Sequence, residues 1–385
     1  MKVGVIGCGN IADIYFHNAK IFFNNFEIIA CADLNPKASK KYSEKYGITN
    51  LSVEELLSNE DIQLVINLTI PNAHFEVSKS ILNSGKHSYS EKPISIEFDE
   101  GKELLNLAKS KNLYVGSAPD TFLGAGIQKS KQVIEDGTIG EIVLGSISMG
   151  VAGHEIWHPN PDFYYKYGGG PILDMGPYYF SALVNLLGPV KSVYSQSRTV
   201  YSQREIGSGE RKGEKIAVDI PTTLISQIEF SNGALIDSFF SFDVYKHNKS
   251  HIELFGTKGA INVPDPNMFG GEIKICDEKK SDWKTIKTDD MNLGRLNTNR
   301  TGGEKNDKAN EDPTSANFRG IGVCEMIDSI KENKVNRCSG ELSLHVLEIM
   351  QSILKSAKIN EKVNLESVTN IPQSFLDTEN GKFLK

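Results

Sequence analysis

Two places in this 385-residue chain carry side chains whose types and spacing could move protons on a bound small molecule. The first is Glu91-Lys92-Pro93. A lysine partly removed from water and set beside another positive charge has a lowered pKa, which fits it to exchange a proton with a substrate hydroxyl. A surface lysine ahead of a turn proline is the plainer alternative. The second is Asp174 with Tyr178, just after the run Gly168-Gly169-Gly170-Pro171. On a helix, residues four apart share one face, so a carboxylate and a phenol would point into one cavity. Here the alternative is a helix cap for Asp174 and interface packing for Tyr178. The glycine run lacks the G-K-[ST] ending of a nucleoside-triphosphate loop.

The elements that must position these residues follow in order along the chain. Residues 2–6 form a short apolar run that stops at Gly7-Cys8-Gly9-Asn10-Ile11-Ala12, the pattern of a strand, a tight turn and a helix. Gly7 permits the turn, Gly9 lets the backbone approach a pyrophosphate, and Ala12 lets the helix pack on the strand. Asn10 and Ile11 complete the helix N-terminus on which phosphates rest. A second apolar run, 26–32, ends at Asp33, where a carboxylate meets ribose hydroxyls and repels a 2′-phosphate, so NAD is expected over NADP. Strands predicted over 63–69, 87–90 and 114–117, with helices over 35–46, 52–57, 73–83 and 98–108, continue the alternation of a doubly wound parallel sheet. Ligands of such sheets sit at the carboxyl ends of the strands. That places Lys92 beside a bound nicotinamide and adds Thr69, Pro71, His74, Glu91 and Lys92 to the cofactor-binding candidates.

Beyond residue 121 the pattern changes. A helix over 125–135 precedes longer strands with period-two alternation over 142–149, 190–198, 221–230, 234–242, 250–255 and 260–263. Turns at 231–233 and 256–259 join neighbours as hairpins. The fold class expected is α/β, with two domains. Residues 1–121 form a dinucleotide-binding Rossmann domain, and 122–385 form a second, substrate-binding α+β domain with a mainly antiparallel open sheet. Between 264 and 320 glycine, asparagine, lysine and aspartate dominate, the composition of a long, partly mobile surface excursion. Helices follow over 322–331 and 341–357.

With 42 Lys+Arg against 49 Asp+Glu, a formal charge of −7 and no long basic block, nucleic acid and anionic membrane are poor partners. The five scattered cysteines suit reduced thiols. The chain enters its first strand at once and no apolar stretch approaches membrane-spanning length, so a cytoplasmic location is expected.

In order and spacing, the opening turn, Glu91-Lys92-Pro93 and the Gly-Gly-Gly-x-x-x-Asp-x-Gly segment resemble the glucose-fructose oxidoreductase / inositol dehydrogenase (Gfo/Idh/MocA) family. Ile252 to Gly259 and Ser339-Gly340-Glu341 extend the likeness over nearly the whole chain. The resemblance implies oxidation or reduction of a sugar or cyclitol hydroxyl with NAD(P), with Lys92 as the catalytic lysine and Asp174 as the pocket aspartate. It also implies a homo-oligomer joined through an open sheet face. One departure stands out: the family's histidine four residues after that aspartate is Tyr178 here. A tyrosine beside Lys92 can donate or accept a proton, or the role rests on Lys92 alone.

Gly153-His154-Glu155-Ile156-Trp157-His158-Pro159 matches the zinc-protease pattern H-E-x-x-H, which needs both histidines one turn apart on a helix. Pro159 displaces His158 from that geometry, and no metal site is expected. A pocket wall fits better, with Trp157 stacked on a sugar ring and His154 or His158 bonding hydroxyls; satisfied loop histidines and a core tryptophan are the alternative. The substrate candidates are therefore Lys92, His154, Trp157, His158, Asp174 and Tyr178. Phe163-Tyr164-Tyr165 would enlarge the aromatic surface. His345, inside an apolar helical pattern, reads as a core or interface histidine. The function expected is NAD-dependent hydride transfer to or from a hydroxyl-bearing carbon of a sugar, cyclitol or glycoside. A redox-neutral NAD-dependent glycosidase and a non-catalytic nucleotide and sugar sensor are the alternatives.

Overall fold

The computed structural model describes residues 1–277, 282–294 and 317–385. Its N-terminal part is a parallel sheet of β1 (Lys2–Ile6), β2 (Glu27–Ala32), β3 (Thr49–Asn50), β4 (Leu64–Asn67), β5 (His87–Ser90) and β6 (Val115–Ser117), in the order β3-β2-β1-β4-β5-β6. Between the strands run α1 (Ala12–Ile21), α2 (Pro36–Tyr46), α3 (Val53–Ser58), α4 (His74–Asn83) and α5 (Phe98–Ser110). Helix α3 opens on a capping box between Ser52 and Glu55, as its sequence predicts. The edge strand β3 is only two residues long and carries no apolar signal; its place is set by pairing with β2. Register decides the site: Ile6 lies beside Ala32 and Asn67, and Asn67 lies beside Ser90. The carboxyl ends of four strands are thereby level.

After α6 (Ala125–Glu135) the chain builds a second sheet from β7 (Ile142–Gly150), β8 (Val190–Arg198), β11 (Thr223–Phe230), β12 (Leu235–Ser241), β13 (Ile252–Gly256), β14 (Ala260–Val263), β15 (Ile273–Cys276), β16 (Lys284–Ile286) and β17 (Val363–Asn364). A small hairpin of β9 (Gln203–Glu205) and β10 (Lys215–Ala217) stands apart from it. Every pairing in the large sheet is antiparallel except β7 with β12. Period-two alternation gives β11, β14 and β15 one buried and one solvent face, most plainly in β11. The buried face is covered by α6, α7 (Pro171–Leu187) and a late helix, α9 (Gly340–Ile359), which follows α8 (Ile321–Glu332).

Helix α9 also packs on α5, and Ser339 pairs with Gly116 of β6, so the chain's last third is stitched back to the first sheet. Helices α7 and α9 approach closely at Gly176, where an added Cβ would lie 2.8 Å from Met350 Sδ. Two residues before Gly176 on α7, Asp174 meets Lys92, which stands just past β5.

The excursion expected over 264–320 is corrected in its described part. β15 and β16 extend the sheet there, and Phe269 and Leu293 are buried. The Gly126 and Ala125 amides donate to their carbonyls at 3.0 and 3.1 Å. Ile273-Lys274-Ile275 does alternate, but three residues amid glycine and lysine are too few to outweigh composition. Residues 278–281 and 295–316 of that stretch lie outside the described residues. Among the described residues no helix is long and apolar enough to cross a membrane.

Candidate active site

Gly7, Asp33, Thr69 and Glu91 each stand just past a strand, and the level strand ends bring them together. Gly7 has φ +99°, and an added Cβ would sit 2.5 Å from the Leu68 carbonyl carbon, so conformation and space both require glycine. At Gly9 nothing lies within 4 Å of that position, which leaves open room above the start of α1. Asn10 is exposed, Ile11 is half-buried and Ala12 is buried against the sheet. The Cys8 and Asn35 amides donate to the two carboxylate oxygens of Asp33, both at 2.7 Å, so this side chain braces the turn as well as bordering it. An open glycine turn at a helix N-terminus with a neighbouring carboxylate fits the pyrophosphate and ribose of a dinucleotide.

Of the remaining nucleotide-side candidates, the Thr69 hydroxyl donates to Asn67 Oδ1 at 2.6 Å, and Pro71 opens a short 3-10 turn before α4. His74 is fully buried, its ring nitrogens 2.6 Å from Pro93 O and 3.0 Å from Thr69 O. It ties the loops after β4 and β5 together from behind. Glu91 accepts from the Tyr15 hydroxyl at 2.8 Å and from the Lys92 amide at 3.1 Å.

Lys92 reaches across to α7. Its ammonium donates to Asp174 O at 2.6 Å and Asp174 Oδ1 at 2.9 Å, while Asp174 Oδ2 lies 3.0 Å from His154 Nε2. One carboxylate is thus shared between a lysine from the first sheet and a histidine from the loop after β7. Tyr178, one turn along α7, presents its ring 5.2 Å from the Lys92 nitrogen. Burial pulls Lys92 down, but the Asp174 carboxylate, with Tyr178 and Glu91, outweighs it and holds the lysine above its usual range. In the free site the lysine is thus raised where one beside a cationic ring was expected to be lowered, because α7 supplies a fixed anion that only tertiary packing brings near. Burial alone would push Asp174 up; Lys92 and His154 hold it well below the usual carboxylate range. In the free site the pair is an ammonium and a carboxylate.

The H-E-x-x-H residues face different partners. His154 opens a 3-10 turn toward Asp174, and His158 Nδ1 accepts from the Asn160 amide at 3.1 Å. Glu155 turns inward to Arg204 at 2.8 Å and to the Tyr165 phenol. Among the described residues no group of three or more His, Cys, Asp and Glu side chains is arranged to hold a metal ion. Trp157 is 52% exposed, so it is no core residue.

Two buried residues behind the site carried little signal in the sequence. Arg319 donates to Asn267 Oδ1 at 3.0 Å; burial lowers its pKa, yet Tyr178, Glu91 and Asp120 hold it above its usual range. Asp120 accepts from the Gly320 and Gly322 amides at 2.7 and 3.1 Å at the start of α8, and burial pushes it up to about 6. The one hint is Asn317-Phe318-Arg319-Gly320 immediately before a helix, an N-terminus pattern hidden in a polar stretch.

Residues 1–118 match the model of the oxidoreductase family with an NAD-binding Rossmann fold, and residues 127–262 match that of the GFO/IDH/MocA C-terminal domain. An uncharacterized oxidoreductase of Schizosaccharomyces pombe is 31% identical over 216 residues, 54% of this chain and 56% of that protein, so the match spans little more than half of it. Myo-inositol 2-dehydrogenase of Thermotoga maritima is 27% identical over 285 residues, covering 72% of this chain and 79% of that protein. Among solved structures, levoglucosan dehydrogenase in complex with NADH and levoglucosan superposes with a TM-score of 0.77 at 20% identity, covering 97% of this chain and 100% of that one. At that identity the likeness is one of fold.

Proposed function

The chain belongs to the GFO/IDH/MocA oxidoreductase family and has its NAD-binding Rossmann domain, and on that premise we propose that it moves hydride between the nicotinamide of NAD and a hydroxyl-bearing carbon of a sugar, cyclitol or glycoside. The observation that carries this reading is the contact of Lys92 Nζ with Asp174 Oδ1 at 2.9 Å, a proton-bearing group from the nucleotide half fixed by a carboxylate from the other. NAD, when bound, supplies the acceptor or donor of hydride. The turn from Gly7 to Ala12 would hold its pyrophosphate and Asp33 its ribose, with Thr69, Pro71 and Glu91 along the same strand ends. Asp33 also favours NAD over NADP, because a 2′-phosphate would meet its charge.

The chain's own residues handle the substrate oxygen. As an ammonium, Lys92 stabilises an alkoxide and can hand a proton to a carbonyl oxygen in the reducing direction. In the oxidising direction it must first lose a proton. Since its pKa is held up, oxidation should speed up as pH rises above neutral. Asp174 and His154 orient the ring hydroxyls, and Tyr178 closes the side of the pocket nearest Lys92. Residues 122–385 carry the substrate site and, through the open sheet face, a homo-oligomer contact.

The test is a panel of sugars, cyclitols and glycosides incubated with NAD while NADH absorbance is read. Replacing Lys92 by Ala should lower kcat by roughly 100-fold or more, in keeping with loss of a proton-transfer group, and abolish the alkaline rise. Unchanged turnover by that variant would overturn the assignment.

A further inference from the structure

Resting on the reading above, we propose that the aromatic face of residues 154–167 is a subsite for a second ring, so that the substrate is a glycoside whose aglycone lies on Trp157 and Phe163. The face is a continuous line of rings that starts at the proposed reaction centre. His154, bonded to Asp174, lies 4.4 Å from Tyr164 and 5.5 Å from Trp157, centroid to centroid. Trp157 continues to His158 at 5.3 Å, His158 to Phe163 at 5.5 Å, and Phe163 back to Tyr164 at 4.0 Å. The inner end is mostly buried, while Trp157 and Phe163 are 52% and 51% exposed. A monosaccharide held by Lys92 and Asp174 would occupy the inner end, and Trp157 and Phe163 are the next rings outward from His154 and Tyr164. Large aromatics left in water beside a cleft do little for folding, and their faces suit the flat apolar face of a pyranose or an aryl group.

The turn that carries them is held in place by charges that folding alone does not explain. Glu155, two residues before Trp157, is buried against Arg204 at 2.8 Å, and Arg204 also pairs with Asp243. Buried ion pairs are weak stabilisers compared with apolar packing, so what this one secures is the position of the turn. From the outside, Arg211 grips Asp162 at 2.6 and 3.1 Å, and the Gly207 amide donates to Glu155 O at 2.8 Å. At its far end the Tyr167 hydroxyl bonds Glu97, and an added Cβ at Gly168 would lie 3.1 Å from Ile96 Cδ1. The face therefore borders the mouth between the two halves. A platform fixed before binding loses little entropy when a ring settles on it.

Trp157 and Trp283 are the chain's only tryptophans, so Trp283→Phe leaves Trp157 as the sole fluorescent reporter. We expect its emission to shift saturably when pyranoses are added as phenyl glycosides or disaccharides, and to stay unchanged with the matching methyl glycosides. A stronger response to disaccharides assigns the subsite to a pyranose, and a stronger response to phenyl glycosides assigns it to an aryl group. In turnover assays Trp157→Ala should lower kcat/KM for the two-ring compounds about tenfold, mainly through KM. Methyl glycosides should lose markedly less than the two-ring compounds, and Trp157→Phe should restore most of the difference. A Trp157 signal blind to every second ring, or equal losses for methyl and two-ring glycosides, would overturn the proposal. The fluorescence arm needs no turnover, so it decides the subsite even where the Lys92→Ala assay fails.

Discussion

Asp33 shows how much a single side chain is asked to do. Its two carboxylate oxygens each take a backbone amide at 2.7 Å, from Cys8 and from Asn35, and it borders the open space above Gly9. Asp33→Asn keeps an acceptor for one of those amides and removes the charge. The expected result is a fall of about tenfold or more in the preference for NADH over NADPH, read by titrating the fluorescence of each reduced dinucleotide, because the repulsion of a 2′-phosphate goes with the charge. A preference ratio equal to that of the unaltered protein would remove Asp33 from cofactor choice. Lys92 carries the complementary lesson. Its strand-end position was readable from Glu91-Lys92-Pro93, but its protonation state was not, since the deciding carboxylate arrives from α7.

At the scale of an element, α9 is the helix that locks the second sheet to the first. Its His345 accepts the Val190 amide at Nε2 at 2.9 Å and faces the Ser367 hydroxyl through Nδ1 at 2.8 Å. That geometry needs a neutral ring protonated on Nδ1. Burial pushes His345 down to about 4 from an ordinary 6.5. Because the folded value lies below the unfolded one, the stabilisation is whole above pH 6.5 and is lost as pH falls to about 4. Urea melts across that window should show a loss of up to about 3 kcal/mol attributable to this ring. His345→Gln, which keeps an acceptor for Val190 and does not titrate, should flatten that part of the slope. An unchanged slope would mean that α9 is not the acid-sensitive element.

At the scale of the whole molecule, the solvent face of the second sheet exposes apolar side chains. Leu144, Ile225 and Leu235 are 50%, 62% and 54% exposed on adjacent strands, and the register sets Leu235 directly beside Leu144. An apolar surface of this kind on a flat sheet is suited to a second copy of the chain. Light scattering coupled to gel filtration should show a homo-oligomer, and the double variant Ile225→Lys with Leu235→Glu should elute as a monomer with an unchanged far-ultraviolet spectrum. A monomeric parent protein at micromolar concentration would sink the assignment of that face.

Local rules made much of this molecule readable. The strand, glycine turn and helix at residues 2–21, the acid at the end of β2, the capping box at Ser52 and the alternation of β8, β11 and β14 each depend on neighbours in the chain. The same holds for Asp174 and Tyr178 sharing a face of α7, since helical geometry alone ensures it. What the fold decided were the meetings of distant segments. Asp174 shared by Lys92 and His154, Arg319 behind Tyr178, the buried pair of Glu155 and Arg204 and the strands hidden in the polar stretch after residue 264 all depend on which elements pack together. A residue's pattern along the chain records the face it turns to its own element, whereas its charge state is set by what lies across the gap, and that distance exists only after the chain has closed on itself.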